Sequence, residues 1–115
     1  MLKIFAAIRN AIRNEKNFVI IENPGSEKIV QFAVDPSSRE IVMDIPIHGL
    51  TQNEFDGLIN ELSGVARDAA TNETISFQES YPYERINDAV AQTEKIFREA
   101  YRLPPDFDVT IQVFS

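Results

Sequence analysis

The stretch IVQFAVDPSSREIVMDIP, residues 29–46, decides the fold. Its two arms alternate in character, and Asp35-Pro36-Ser37-Ser38 turns the chain between them. Val30, Phe32 and Val34 share one side of the first arm; Ile29, Gln31, Ala33 and Asp35 share the other. On the second arm Ile41, Met43, Ile45 and Ile47 oppose Val42, Asp44 and His48. A period of two on both arms predicts antiparallel strands at 28–34 and 40–47 with one core face. The second face keeps Ile29, Ala33 and Val42, more apolar than a fully solvated sheet requires.

Working outward, FVIIE (18–22) is rich in β-branched and aromatic residues and reads as a strand. Asn23-Pro24-Gly25-Ser26 reverses the chain, so three strands form a meander. Upstream, Met1, Ile4, Phe5, Ile8, Ala11 and Ile12 fall on one arc, which predicts a helix over 2–15 flanked by Arg9, Arg13 and Lys16.

Downstream, Thr51-Gln52-Asn53-Glu54 is a capping box. Phe55, Leu58, Ile59, Leu62, Ala66 and Ala69 then extend a helical stripe to about Asn72, weakened at Ser63-Gly64. Residues 74–81 read as a strand with Ile75 and Phe77 inward, ended by Pro82. A third helix over 84–102 turns Ile86, Ala89, Val90, Thr93, Phe97, Ala100 and Tyr101 inward, with Glu94 and Arg98 as an i, i+4 pair. Leu103-Pro104-Pro105 stops it, and 109–113 is the last strand. The order α-β-β-β-α-β-α-β describes a two-layer α+β sandwich over residues 1–115 as one domain.

Composition narrows the function. The absence of cysteine excludes disulfides and thiolate metal sites and fits a reducing compartment, with the cytoplasm as the expected location. No run approaches the length of a membrane span, and IFAAI is too short for a signal-peptide core. The net charge is −7, yet the first 17 residues hold Lys3, Arg9, Arg13 and Lys16 against Glu15 alone. The remaining body is acidic and repels phosphate backbones, so nucleic acid is not an expected partner.

Motifs of catalysis are lacking. His48 is the only histidine, and Asp44 on the same strand face lies about 13 Å away at roughly 3.3 Å per residue. Asp106/Asp108 and Glu79/Glu84 read as solubilising charges, and Ser37, Ser38 and Ser80 have no nucleophile-elbow glycines around them. The four glycines are scattered, which leaves no phosphate loop. No catalytic, cofactor or metal residue is assigned. FQESYPYE (77–84) is the one polar-aromatic cluster, and its Tyr81 and Tyr83 have the amphipathic chemistry of contact residues.

IVQFAVDPSSREIVMDIPI (29–47) and TEKIFREAYRLPPDFDVTIQV (93–113) resemble the YbjN-like group of the type III secretion chaperone-like superfamily. The likeness spans residues 15 to 113. It implies a small acidic domain that dimerises or holds a partner segment without catalysis. Because the last strand here follows the third helix, no binding residue is carried over from the secretion chaperones.

The expected function is therefore a non-enzymatic interaction or chaperone-like module, pairing with a protein partner or with itself as a homodimer. Its expected contact residues are Ile29, Gln31, Ala33, Val42, Tyr81 and Tyr83. The alternative is a small-molecule binder or enzyme with a pocket between helices and sheet. A membrane-surface role led by the basic first helix ranks below both.

Overall fold

The computed structural model describes residues 2–62 and 64–115. One antiparallel sheet contains six strands, and three helices lie against one of its faces. The helices are α1 (Leu2–Arg13), α2 (Gln52–Glu61) and α3 (Ile86–Lys95). The strands are β1 (Phe18–Asn23), β2 (Lys28–Asp35), β3 (Glu40–Pro46), β4 (Gly64–Arg67), β5 (Thr74–Pro82) and β6 (Thr110–Phe114). They stand in the order β4-β5-β3-β2-β1-β6. The α+β sandwich and the order of its expected elements hold, with one strand more than the residue pattern suggests.

Alternation places the core. Val19 and Ile21, Val30 and Phe32, and Ile41, Met43 and Ile45 are fully buried on the inner face. Cross-strand register aligns them, with Phe32 opposite Met43 and Val34 opposite Ile41. Ile4, Ile8 and Ala11 of α1, Leu58 of α2 and Ala89 of α3 close that face from above. With a shortest dimension of 21 Å, the molecule has room for one sheet and one helical layer.

The extra strand corrects the reading of residues 62–72. The capping box forms: Thr51 Oγ1 accepts from the Glu54 amide at 3.2 Å, and Glu54 accepts from the Thr51 amide at 2.8 Å. The helix it opens, however, ends at Glu61, where Leu62 turns extended. Ala66 stands on a strand and Ala69 in the hairpin loop beyond it, not on a helical stripe. Asp68 organises that loop by accepting from the amides of Ala70 and Thr71, and Asn72 takes the left-handed φ of 61°. An aspartate followed by an asparagine at positive φ is turn chemistry, and it outweighs the helical spacing. Ser63, the other half of the weak point, lies outside the described residues, as does Met1 of the first apolar arc. Two further expectations fail: Ile59 and Ile75, both read as inward, are about half exposed at 52% and 50%.

The third helix is also divided. A single 3-10 turn (Tyr83–Arg85) leads into α3, and a π-helical segment (Ile96–Ala100) follows it. The wider π turn carries Phe97 and Tyr101 into the core. Phe97 there stacks on Phe107 at 5.2 Å and meets Tyr101 edge-on at 5.4 Å.

Gly64 fixes how β4 joins the sheet. A Cβ at this position would stand 2.3 Å from the carbonyl oxygen of Gln78, a backbone atom that cannot swing aside. The expected outcome for Gly64→Ala is a loss of about 1–3 kcal/mol, as for other overpacked sites. Urea unfolding followed by circular dichroism measures it, and an unchanged midpoint would show that the β4 edge adjusts freely.

Candidate functional site

The sheet's second face is the first candidate. No helix among the described residues covers it, and its side chains follow directly from the cross-strand register. Val42 lies opposite Ala33, Ala33 opposite Phe18, and Phe18 opposite Phe114. Together they form an apolar row across four strands, with Phe18 51% and Phe114 44% exposed. Beside it runs a polar row in which Asp44 sits between Gln31 and Gln78, while Ile20 sits between Gln31 and Gln112. Ile29, in the next row, is half-buried.

Asp44 is unusual in this setting. Its Oδ1 is shut off from solvent and has no hydrogen-bond partner, despite a glutamine on either side. A buried acceptor without a donor costs roughly 1–3 kcal/mol, so Asp44 weakens the sheet it stands on. The other charged residues that β1, β2 and β3 place on the face, Glu22, Asp35 and Glu40, are also acidic, while Arg67, hydrogen-bonded to Thr74 at 3.2 Å, is a cation at its β4 edge. Asp35 is satisfied locally: it accepts from the Ser37 hydroxyl at 2.7 Å and the Ser38 hydroxyl at 2.8 Å. Those bonds, the Ser37 hydroxyl first, hold its carboxyl below the usual carboxylate range and commit both serines to the turn.

Four of the six expected contact residues, Ile29, Gln31, Ala33 and Val42, thus share this open face. The two tyrosines lie elsewhere. Tyr81 points into the core from β5, opposite Ile41, and is 8% exposed. Burial, then the charges of Glu79 and Asp88, pushes its phenol up to about 12. Tyr83 stands half-buried on the 3-10 turn, where the Arg39 guanidinium covers its ring at 5.3 Å and its amide donates to the Arg39 carbonyl at 3.0 Å.

The Arg39–Tyr83 pair belongs to a second candidate site, which the sequence did not reveal. A hollow of about 490 Å³ is lined by Arg9, Arg13 and Arg39, with Phe5, Ile12 and Ile86 among its apolar walls. Next to it, a hollow of about 540 Å³ is lined by Leu2, Phe5, Val90 and Ala91. Phe5 and Asn87 are common to both. The contributing segments lie far apart in the chain, and the basic edge of α1 was the sole local signal.

A third hollow, of about 490 Å³, gathers Lys28, His48 and Tyr101. Lys28 and Tyr101 are already engaged within the fold. Lys28 pairs with Glu54 at 2.9 Å, and the Tyr101 hydroxyl donates to the Ile29 carbonyl at 2.6 Å. Burial opposes the charge on Glu54, but the Lys28 ammonium and the Thr51 amide prevail and hold its carboxyl below the usual value. Burial, then the Glu54 charge, raises the Tyr101 phenol. His48 sits exposed on the turn beside Gly49, which has a φ of 88°. No group of three histidine or acidic side chains capable of holding a metal occurs among the described residues. Neither is there a helix long and apolar enough to cross a membrane.

Comparison of the chain with family models, characterised proteins and solved structures finds no match.

The two buried phenols make the stability of the fold depend on alkaline pH. Each is kept neutral in the folded chain, whereas the unfolded chain releases these protons near pH 10. The unfolded state therefore binds fewer protons above pH 10, and stability falls as pH rises from there through about 12. Phenolate absorbance should lag that of the urea-denatured chain over this window. Coincident titration curves would contradict the burial of Tyr81 and Tyr101.

Proposed function

We propose that this chain is a non-catalytic protein-interaction module that holds a partner against its open sheet face. The observation that carries this reading is the apolar row Val42–Ala33–Phe18–Phe114, left uncovered on the side of the sheet opposite the core. A contiguous exposed apolar strip on a folded domain is characteristic of interaction surfaces. The resemblance to YbjN-like and secretion chaperone-like domains, which implies partner holding without catalysis, supports the same reading, and we place the module in the cytoplasm.

Charge selects the kind of partner. Across β1, β2 and β3 the charged groups of the face are Glu22, Asp35, Glu40 and Asp44, all acidic, with Arg67 as a cation at the β4 edge. A protein surface with apolar side chains and a lysine or arginine complements that apolar, acidic strip. Stacking two copies face to face over β1, β2 and β3 would instead oppose like charges.

The test combines capture with stability. Ile29→Asp together with Val42→Asp should reduce capture of the bound partner at least about tenfold, roughly 1.4 kcal/mol. The unfolding midpoint should shift little, because both side chains are only partly buried. Arg13→Gln, on the helical side, should leave capture intact. Retained capture by the double variant, or a concentration-dependent dimer that the double variant dissolves, would overturn the hetero-partner reading.

Asp44→Asn provides an independent check. Removing the orphaned charge should stabilise the isolated chain by about 1 kcal/mol and weaken partner binding. A destabilised Asp44→Asn chain would show that the carboxylate already has a structural role within the fold.

A further inference from the structure

We propose that the groove between α1 and α3 binds a free anionic amphiphile, with its phosphate or carboxylate head against Arg9, Arg13 and Arg39 and its aliphatic tail along Leu2, Phe5 and Val90. This site lies in the helical layer, on the other side of the sheet from the face proposed to hold a partner, and stands independently of that proposal.

The head site follows from charge. In a chain of net −7, carboxylates are plentiful, and Lys3, Lys28, Arg85 and Lys95 each pair with one. Arg9, Arg13 and Arg39 make no ion pair among the described residues, yet all three line one hollow of about 490 Å³. Glu84 is the carboxylate on that wall. Guanidinium groups bind phosphate or carboxylate oxygens in bidentate fashion, so three around one hollow supply more donors than a single head group can exhaust. Stacking on Tyr83 holds Arg39 in place before any ligand arrives, which lowers the entropic cost of binding.

The tail site follows from exposed apolar surface. Leu2 is 88% exposed at the end of the adjoining hollow, whose other walls include Phe5, Val90 and Ala91. Removing such surface from water contributes about 25 cal/mol per Å². The two hollows abut at Phe5 and Asn87, and each falls within the roughly 300–1,000 Å³ of small-ligand sites. Glu94 is the carboxylate in the lining of the second hollow, so a molecule spanning both keeps its anionic end at the arginines and lays an uncharged, apolar end along Leu2, Phe5 and Val90. The body's negative charge favours a ligand free in solution, because an anionic bilayer repels the rest of the surface.

The experiment titrates the full chain with dodecyl phosphate below its micellar concentration, followed by amide NMR shifts and calorimetry. Inorganic phosphate serves as the head alone and dodecyl maltoside as the tail with an uncharged head. Dodecyl phosphate should saturate at equimolar ratio and shift the amides of Phe5, Tyr83 and Asn87. Both partial ligands should bind at least about tenfold more weakly. Arg9→Gln with Arg13→Gln should weaken dodecyl phosphate binding by a similar factor without moving the unfolding midpoint, since neither guanidinium has a hydrogen-bond, ion-pair or ring partner among the described residues. Equal affinity for the maltoside, undiminished binding by the double variant, or shifts centred away from the groove would overturn the proposal. So would binding confined to vesicles of one part phosphatidylglycerol to three parts phosphatidylcholine.

Discussion

The rest of the molecule depends on a single constraint: every second residue of β1, β2 and β3 must be buried on the same side. Val19, Ile21, Val30, Phe32, Ile41, Met43 and Ile45 lose all solvent contact together, and the antiparallel register holds them in line. A slip of one residue in any strand would expose its whole apolar set and bury residues such as Asp44 and Gln31. The helices then have one surface to cover. The opposite face is left to whatever residues occupy the alternate positions, so the candidate docking surface is the geometric complement of the core.

The same division explains why the tyrosines part company. Tyr81 and Tyr83 are two apart in sequence, but β5 ends between them at Pro82. Tyr81 obeys the strand's alternation and turns into the core. Tyr83 has already entered the 3-10 turn, where the β2–β3 hairpin tip brings Arg39 over its ring. Arg39 adopts a φ of 55°, a region that residues with a Cβ seldom visit, at the point where the hairpin must rejoin its strand. One hairpin thus supplies both an open sheet face and one wall of the cationic groove.

The meander, the capping box and the terminal strand were legible because short-range patterns encode them: alternation, proline-glycine punctuation and the Thr-x-x-Glu spacing. Residues 62–69 misled because Leu62, Ala66 and Ala69 satisfy helical spacing, while the turn chemistry of Asp68 and Asn72 competes with it and the close approach of Gly64 to the Gln78 carbonyl is a contact across the sheet. Sequence spacing holds no record of such a contact. The arginine groove was illegible for the same reason: α1, the hairpin tip and the turn before α3 meet only after folding. Four of the contact residues on the sheet could be grouped in advance because parity alone assigns a face. Phe18, Ile20 and Phe114 join them only once the strand order places β1 beside β2 and β6 beside β1.

That strand order also has a kinetic consequence. β6 pairs with β1, and Glu22 and Thr110, hydrogen-bonded across that seam, are 88 residues apart in sequence. The hairpins joining β1, β2 and β3 close short loops and form early, whereas the β1–β6 seam requires the largest loop closure in the sheet. Until it forms, β1 is itself an edge, presenting the uncharged run Phe18-Val19-Ile20-Ile21 with unpaired amides and carbonyls. An edge of that kind is a template for pairing between chains. The late arrival of β6 makes its five residues a guard against aggregation during folding as well as a border of the finished sheet.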